Sequence, residues 1–259
     1  MIVDLHNHTL LCNHAQGEVF EYIEQAIKTG TKYFGFSDHA PMDFDPKYRM
    51  AFDDMQNYEN DILAAKKKYA DKIEILLGYE VDYLQGHMDE RVLTANVDYL
   101  IGSVHFLEGW GFDNPEFIGA WKTQDIDEIW QKYFDTIEEM AESKLFDIVG
   151  HLDLIKVFKY MPKGNINSMA KKALEAIKKA DMVLELNVAG YRKAVAESYP
   201  SPSLLKQAFD LSIPITFASD AHNPEQVSMF NDEIIQLAKS VGYTECAVFS
   251  KRKYRLIEF

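Results

Sequence analysis

The sequence has 259 residues, of which 47% are hydrophobic and 26% are charged, values typical of a water-soluble globular protein with a large core. Its formal net charge of −14 argues against a nucleic-acid or anionic-membrane partner bound through a basic surface. The sequence contains no apolar run long enough to span a membrane and no secretory leader at its start, so we expect a cytoplasmic protein.

Short apolar or aromatic runs alternate along the whole chain with longer stretches of helical periodicity. This alternation is typical of repeated βα units around a parallel sheet. Seven strands are predicted, at residues 2–5, 33–36, 74–79, 99–103, 148–150, 183–186 and 215–218. The helical patterns lie near residues 17–29, 53–69, 125–142, 167–180, 202–210 and 224–241.

The chain shows no Ser/Gly-rich linker, charge block or internal repeat, and we therefore predict one domain spanning residues 1–259. Seven βα units over this length favour an α/β fold closed into a (β/α) barrel. Segment 107–123 is rich in glycine and aromatic residues, and it is predicted to form a long loop on one rim of the barrel.

Histidine and acidic residues follow the predicted strands. Because the C-terminal ends of barrel strands all open on one face, we expect these side chains to converge on one site although they are far apart in sequence. Seven of the eight histidines take part, and only His87 lies outside the pattern. Such a concentration at strand ends favours a metal centre over scattered structural histidines. The set comprises His6, His8, His14, Asp38, His39, Glu80, His105, His151, Asp153, Asp220 and His222.

The number of these residues indicates more than one metal ion, since a catalytic zinc usually takes three protein ligands and keeps one position open. His6 and His8 leave the same face of an extended segment and can reach one ion. Imidazole mixed with carboxylate suits zinc, iron or manganese rather than calcium or magnesium. Cys12 lies between His8 and His14, but we interpret it as a small packed residue.

The motifs resemble the polymerase-and-histidinol-phosphatase (PHP) superfamily of metal-dependent phosphoesterases. The segments that carry the resemblance are DLHNHT at 4–9, SDHA at 37–40, GYE at 78–80, SVH at 103–105, GHLD at 150–153 and SDAH at 219–222. Segments CNHA at 12–15 and IGSVHF at 101–106 look most like the monofunctional histidinol-phosphate phosphatases of PHP type. The resemblance implies a distorted (β/α)7 TIM-like barrel that hydrolyses L-histidinol phosphate to L-histidinol and phosphate in histidine biosynthesis.

The resemblance also implies three divalent ions, of zinc, manganese or iron. The first would be held by His6, His8, Glu80 and Asp220, the second by Glu80, His105 and His151, and the third by His14, His39 and His222. Asp4, Asp38 and Asp153 are candidates to orient the imidazoles, or are plain helix caps and loop residues.

Phosphate-ester hydrolysis needs a nucleophile, and a hydroxide bridging the first two ions would attack phosphorus at this trinuclear centre. Asp220, or less readily His222, would protonate the leaving group. Arg192 in the loop after the sixth strand is predicted to bind phosphate, with Asn187 and Lys156 as further substrate-binding candidates. Glu108, Asp113 and Glu116 are available for the cationic end of histidinol phosphate.

Three alternatives are compatible with the sequence. The first is a PHP-type phosphatase for another small phosphomonoester, a nucleotide or phosphotyrosine. The second is a metal-dependent amidohydrolase, which also places two histidines after its first strand, although Glu80, His14 and His39 favour the PHP pattern. The third is a metal-binding module without catalysis. We expect a small-molecule partner rather than a nucleic acid or membrane, and the sequence does not indicate an oligomeric state.

Overall fold

The computed structural model describes all residues from Met1 to Phe259. The strands are β1 (Val3–Asp4), β2 (Tyr33–His39), β3 (Glu74–Asp82), β4 (Tyr99–Ser103), β5 (Phe106–Leu107), β6 (Trp110–Gly111), β7 (Ile148–Val149), β8 (Val183–Asn187), β9 (Ile215–Ala218), β10 (Glu245–Ser250) and β11 (Lys253–Glu258). The α-helices are α1 (Val19–Lys28), α2 (Met55–Lys68), α3 (Glu90–Leu93), α4 (Ile126–Ser143), α5 (Ile166–Met169), α6 (Lys171–Lys179), α7 (Pro202–Asp210) and α8 (Asn231–Val241).

Seven of the strands form one parallel sheet in the order β1-β2-β3-β4-β7-β8-β9. The first and last strands of this order also meet, because the backbone N–H of Leu5 donates to the carbonyl of Phe217 at 3.0 Å. Asn7 and Ala221 extend this contact as a parallel bridge. The sheet therefore closes on itself, which confirms the predicted α/β fold, a distorted (β/α)7 TIM-like barrel, and its seven strands.

Two glycines make room for a large side chain, Tyr99, inside the barrel. Tyr99 on β4 lies so close to Gly35 and Gly78 that a Cβ there would come within 2.1 and 2.6 Å of its side chain. Its hydroxyl donates to the carbonyl of Leu5 at 2.6 Å. Tyr99 thus ties β4 across the barrel to the segment that follows β1, below the carboxyl ends of the strands.

Two of the predicted helices are divided in the structure. The pattern at 167–180 forms α5 and α6, which are separated at Ala170. The pattern at 224–241 begins as a short 3-10 turn, Pro224–Gln226, and the α-helix starts only at Asn231. Ser228 and Phe230 both have φ of 58°, a left-handed conformation that an α-helix cannot contain, so the helix starts after them.

The rim segment and the C-terminus contain structure that the sequence did not predict. Segment 107–123 includes β6 of a small hairpin and a 3-10 run, Pro115–Thr123. The C-terminal hairpin of β10 and β11 contacts the barrel where the hydroxyl of Thr216 donates to the carbonyl of Ala247 at 3.0 Å. Arg252 at its turn bonds to Asp98 and Asp147, which precede β4 and β7. The hairpin therefore covers the end opposite the carboxyl ends of the strands. None of the helices combines the length and apolarity that crossing a membrane needs.

Candidate metal centre and substrate cavity

The carboxyl ends of the barrel strands open into one cavity of about 500 Å³. Seven of the nine predicted metal ligands line it. The other two, His6 and His8, are fully buried next to it, His6 against Glu80 and His8 against Asp220. The structure thus brings the nine predicted ligand residues together from six strand ends. The ligand residues that line the cavity are His14, His39, Glu80, His105, His151, Asp220 and His222.

Glu80, at 1% exposure, lies in the middle of these imidazoles. Its Oε2 is 3.3 Å from Nε2 of His6 and 2.9 Å from Nδ1 of His39. Its Oε1 is 2.9 Å from Nε2 of His151 and 3.6 Å from Nε2 of His105. The two oxygens of one carboxylate therefore face two different sets of imidazoles, which is the geometry that a carboxylate shared between two ions requires.

Several groups of three ligand atoms lie within 4.8 Å of one another. Two of these groups equal the second and third sets that the sequence resemblance implied, namely Glu80, His105 and His151, and His14, His39 and His222. A further group, His6, His8 and Glu80, contains three of the four residues of the first set. Asp220 adjoins the first of them, with Oδ1 3.4 Å from Nε2 of His8. Two overlapping groups, one with Asp82 and one with Cys12, share imidazoles with these three.

The donor atoms fit divalent cations. Nε2 of His6 and Oε2 of Glu80 are buried, and despite their short distances to each other and to His39 neither makes a hydrogen bond of good geometry. A buried polar atom without a partner is unfavourable, and a cation between these two would satisfy both. Imidazole nitrogen with carboxylate oxygen is a donor set that zinc, manganese and iron accept.

The electrostatics also favour bound cations. Burial alone would raise the pKa of Glu80, but the imidazoles of His6, His39 and His105 lower it well below its usual range. Burial, aided by His8 and His105, lowers the pKa of His39 to about 4 despite the neighbouring Glu80. At neutral pH these two side chains are therefore an ionised carboxylate and a neutral imidazole, the forms that bind metals. His105, His6 and His8 differ. Burial opposes their protonation, but Asp82 and Glu80 raise the pKa of His105 to about 10, Glu185 and Glu80 raise that of His6, and Asp220 and Asp38 raise that of His8. A cation would have to displace these protons.

Carboxylates behind the imidazoles fix their orientation. Oε2 of Glu185 lies 2.7 Å from Nδ1 of His6, and Oδ1 of Asp82 lies 2.7 Å from Nδ1 of His105. A carboxylate bonded to Nδ1 of an imidazole turns Nε2 toward a metal and makes it more basic. Neither acid was among the residues predicted from the sequence. Asp82 could have been found, since strand side chains alternate and it therefore shares a face with Glu80.

The three aspartates that were proposed to orient imidazoles differ in their contacts. Asp38 lies 3.3 Å from Nδ1 of His8 and so contacts an imidazole. Asp4 accepts from the backbone N–H and the hydroxyl of Ser219, at 2.9 and 2.5 Å. Asp153 accepts from the backbone N–H of Ser201 at 2.9 Å and pairs with Lys156. Asp4 and Asp153 therefore hold backbone near the site rather than imidazoles.

Of the predicted substrate-binding residues, only Arg192 lines the cavity. Its Nη2 donates to the carbonyls of Ser219 and Asp220, both at 2.8 Å, and its Nη1 is buried without a partner. Asn187 is fully buried and donates to Glu185 at 2.6 Å and to Asp220 at 3.2 Å. It lies behind the cavity wall.

Lys156 is also buried away from the cavity. Its ammonium lies 2.9 Å from Oδ2 of Asp153, 2.6 Å from Oε2 of Glu197 and 2.7 Å from the carbonyl of Ser198. All of its donors are used inside the protein, so this geometry contradicts the predicted contact with substrate.

The acidic residues of the rim loop lie in different surroundings. Asp113 lines the cavity, together with Asp45 and Phe106. Glu108 pairs with Lys132 at 2.7 Å, and Glu116 with Lys47 at 2.6 Å, both on the exposed surface. His87, the histidine outside the pattern, lies 2.7 Å from Asp43 and belongs to none of the ligand groups.

Comparisons with known proteins agree with this geometry. The model of the PHP domain family matches residues 4–189. A relative from Deinococcus radiodurans named "Probable histidinol-phosphatase" is 37% identical, over 93% of this chain and 94% of its own length. The "Histidinol-phosphatase" of Bacillus subtilis is 31% identical, over 86% of this chain and 94% of its own length.

A solved structure shares the fold. The crystal structure of histidinol phosphate phosphatase from Lactococcus lactis, in complex with zinc, L-histidinol and phosphate, superposes with a TM-score of 0.81 at 21% sequence identity. The superposition covers 98% of both chains. The likeness in fold therefore extends over nearly the whole chain.

Proposed function

The chain belongs to the PHP domain family, and on this premise we propose that it is a metal-dependent phosphomonoesterase that hydrolyses L-histidinol phosphate to L-histidinol and phosphate in histidine biosynthesis. The observation that carries the proposal is the set of adjoining imidazole and carboxylate groups around Glu80 at one cavity. The names of relatives that are 37% and 31% identical support the substrate. We further propose that residues 1–259 form one domain and that the enzyme acts in the cytoplasm.

We propose that three divalent ions, of zinc, manganese or iron, occupy the three groups described above. When bound, such ions neutralise the phosphoryl oxygens and lower the pKa of a water that can attack phosphorus. Glu80 would be shared by the first two positions, because its two oxygens face separate imidazoles. Glu185, Asp38 and Asp82 would hold His6, His8 and His105 in the orientation that binding needs.

Arg192 would bind the phosphoryl group. Two carbonyls already hold its Nη2, so the guanidinium is fixed in place before a substrate arrives. Its unpartnered Nη1 would donate to a phosphoryl oxygen. Fixing this donor in advance means that little side-chain freedom is lost on binding.

Asp220 would move the proton that the reaction requires. Burial opposes its ionisation, but His6 and His8 hold the pKa of Asp220 well below its usual range, so it begins as a carboxylate. It would accept the proton of the attacking water and return it to the leaving oxygen of the ester. Burial and neighbouring imidazoles lower the pKa of His222 well below its usual range, so His222 is suited to be a neutral ligand rather than an acid.

Asp113 would recognise the cationic end of L-histidinol phosphate. It lines the cavity, whereas the other two rim acids pair with surface lysines. Phe106 and Asp45 border the same space and would contact the imidazole of the substrate. Acidic residues in this part of the cavity suit a substrate that carries a cationic group as well as a phosphate.

The substrate proposal is tested by measuring phosphate release from L-histidinol phosphate, nucleotides, sugar phosphates and phosphotyrosine by the metal-loaded protein. We expect kcat/KM for L-histidinol phosphate to exceed the others by about three orders of magnitude, because a site that pairs buried polar groups with a substrate rejects analogues lacking them. Flat or reversed selectivity would replace the substrate with another phosphomonoester. Absence of any hydrolysis would favour the non-catalytic alternative.

A further inference from the structure

Tyr199 lies at the end of the loop that follows β8, and its position is fixed from several sides. Its backbone N–H and carbonyl both bond to Asn187, at 2.9 and 2.7 Å. Its ring is 1% exposed and meets the ring of His151 edge-on, with centroids 6.4 Å apart. A Cβ on Gly190 would come within 3.0 Å of the ring, so Gly190 leaves room for it. The ring therefore has one well-defined place in the cavity wall.

The hydroxyl of Tyr199 is buried and has no hydrogen-bond partner in the protein. Tyr199 lines the cavity together with Asp113, Asp220 and Arg192, so its ring borders the space that a ligand would occupy. A tyrosine hydroxyl carries its proton at neutral pH and can therefore act as a donor.

Other buried tyrosines show what a structural hydroxyl looks like in this protein. The hydroxyl of Tyr58 donates to the carbonyl of Gly78, and that of Tyr243 to the carbonyl of Ile213, both at 2.9 Å. Buried tyrosine hydroxyls usually find such a partner, because an unpaired polar group in the interior is unfavourable. Tyr199 has no such partner, and a molecule that enters the cavity it lines would supply one.

We propose that the hydroxyl of Tyr199 donates a hydrogen bond to a phosphoryl oxygen of the bound ester. It would act beside Arg192, whose Nη1 is likewise buried and unpartnered at the wall of this cavity. The inference rests on the proposed function in that it takes a phosphate monoester as the ligand. Tyr199 would then be a catalytic residue. Neither the sequence motifs of the chain nor its groups of metal ligands had indicated this role.

The test compares Tyr199→Phe with the wild-type protein, both as full-length, metal-loaded chains. Inorganic phosphate serves as the binding probe, by calorimetry, and L-histidinol phosphate and an aryl phosphate as substrates. We expect kcat/KM to fall about 10- to 100-fold for both esters and phosphate binding to weaken about 5-fold or more, as for the loss of one hydrogen bond to a charged group. Metal content should stay the same. The melting temperature should stay the same or rise, because no protein hydrogen bond is lost.

Tyr243→Phe is the matched control, since it removes a buried hydroxyl that has a protein partner. It should lower the melting temperature and leave kcat/KM unchanged. Unchanged kinetics and phosphate binding in Tyr199→Phe, or a loss of melting temperature like that of Tyr243→Phe, would overturn the inference. A loss of kcat/KM confined to L-histidinol phosphate, the alkyl ester of the two substrates, would place the hydroxyl on the leaving oxygen. That result would also overturn the inference.

The same experiment separates the inference from the proposed function. If the wild-type protein does not hydrolyse L-histidinol phosphate but binds inorganic phosphate more tightly than Tyr199→Phe does, the substrate is wrong and the inference holds. If the wild-type protein hydrolyses the ester and Tyr199→Phe does so equally well, the proposed function holds and the inference fails.

Discussion

A single carboxylate organises the candidate site. Glu80 is the residue within 4 Å of imidazoles from both the first and the second ligand group, and it is almost completely buried. Burying one carboxylate among so many imidazoles is favourable only when positive charge compensates it. Divalent ions would supply that charge, so the proposed centre explains why the arrangement is stable as well as what it does.

Glu80→Ala should lose two ions together and abolish turnover. The group of His14, His39 and His222 does not include Glu80, so its ion should remain. Metal content is measured by mass spectrometry of the purified variant, and turnover by phosphate release. His87→Ala is the control and should keep both, because His87 contacts only the rim. A fully loaded, active Glu80→Ala protein would refute the shared position.

Glu185→Gln should weaken binding at the first ion while preserving side-chain size. Glu185 bonds to Nδ1 of His6 and also accepts from the backbone N–H of His151 at 3.1 Å. Loss of a carboxylate behind a metal-binding imidazole typically costs 10- to 100-fold in affinity, and we expect a loss of about that size. Zinc affinity is measured by competition with a chelator. Glu175→Gln on the exposed side of α6 should change nothing, and equal affinities in the two variants would refute the role of Glu185.

At the level of residues, the ligands could be predicted because their place in the chain determines their place in space. Each lies near or after the C-terminal end of a strand, and parallel strands bring these ends together. Glu185 was missed because it lies inside β8, where it looked like part of the strand. Lys156 was misjudged because its partners Glu197 and Ser198 belong to another loop, and this proximity depends on packing.

At the level of elements, the existence of the strands was easier to predict than their ends. The predicted strands 33–36 and 74–79 extend in the structure to His39 and Asp82. Aspartate and glutamate are poor strand formers, but pairing of His39 with Glu80 across the two strands overrides this preference. The added strand residues belong to the candidate site, because they bring the side chains of His39 and Glu80 to the cavity.

The C-terminal hairpin was missed because its turn lacks the usual residues. Lys251 and Arg252 both have positive φ, at 51° and 64°. Such turns are ordinarily formed by Asn-Gly or Asp-Gly, which the sequence would have revealed. Arg252 is held in this conformation by Asp98 and Asp147 at the end of the barrel, and that contact is not readable from the chain.

Lys156 connects two loops beside the cavity, and its removal should lower stability. Its ammonium neutralises Asp153 after β7 and Glu197 in the loop after β8. Lys156→Met would leave the buried Asp153 uncompensated, and we expect the free energy of unfolding to fall by about 3 kcal/mol or more. Urea denaturation measures the change. Lys206→Met, which breaks an exposed pair on α7, should cost less than about 1 kcal/mol. Equal small effects would show that the buried pair is unimportant.

At the level of the whole molecule, closure of the barrel creates the site. The hydrogen bond from Leu5 to Phe217 places the segment after β1 against the segment after β9, although they are distant in sequence. His8 and Asp220 come within 3.4 Å as a result. This convergence could be predicted from the sequence, because the number of βα units indicated a closed barrel. The shape of the cavity and the buried side-chain pairs in its wall could not, because they depend on packing.

The central claim is that these converging side chains form a metal centre for phosphate-ester hydrolysis. It is tested most directly by stripping the protein of metal, adding back manganese or zinc, and measuring phosphate release from L-histidinol phosphate. The account predicts that the stripped protein is inactive and that activity returns as ions bind, reaching its maximum only when more than one ion per chain is present. Undiminished hydrolysis by the stripped protein, or none after metal is restored, would contradict the claim.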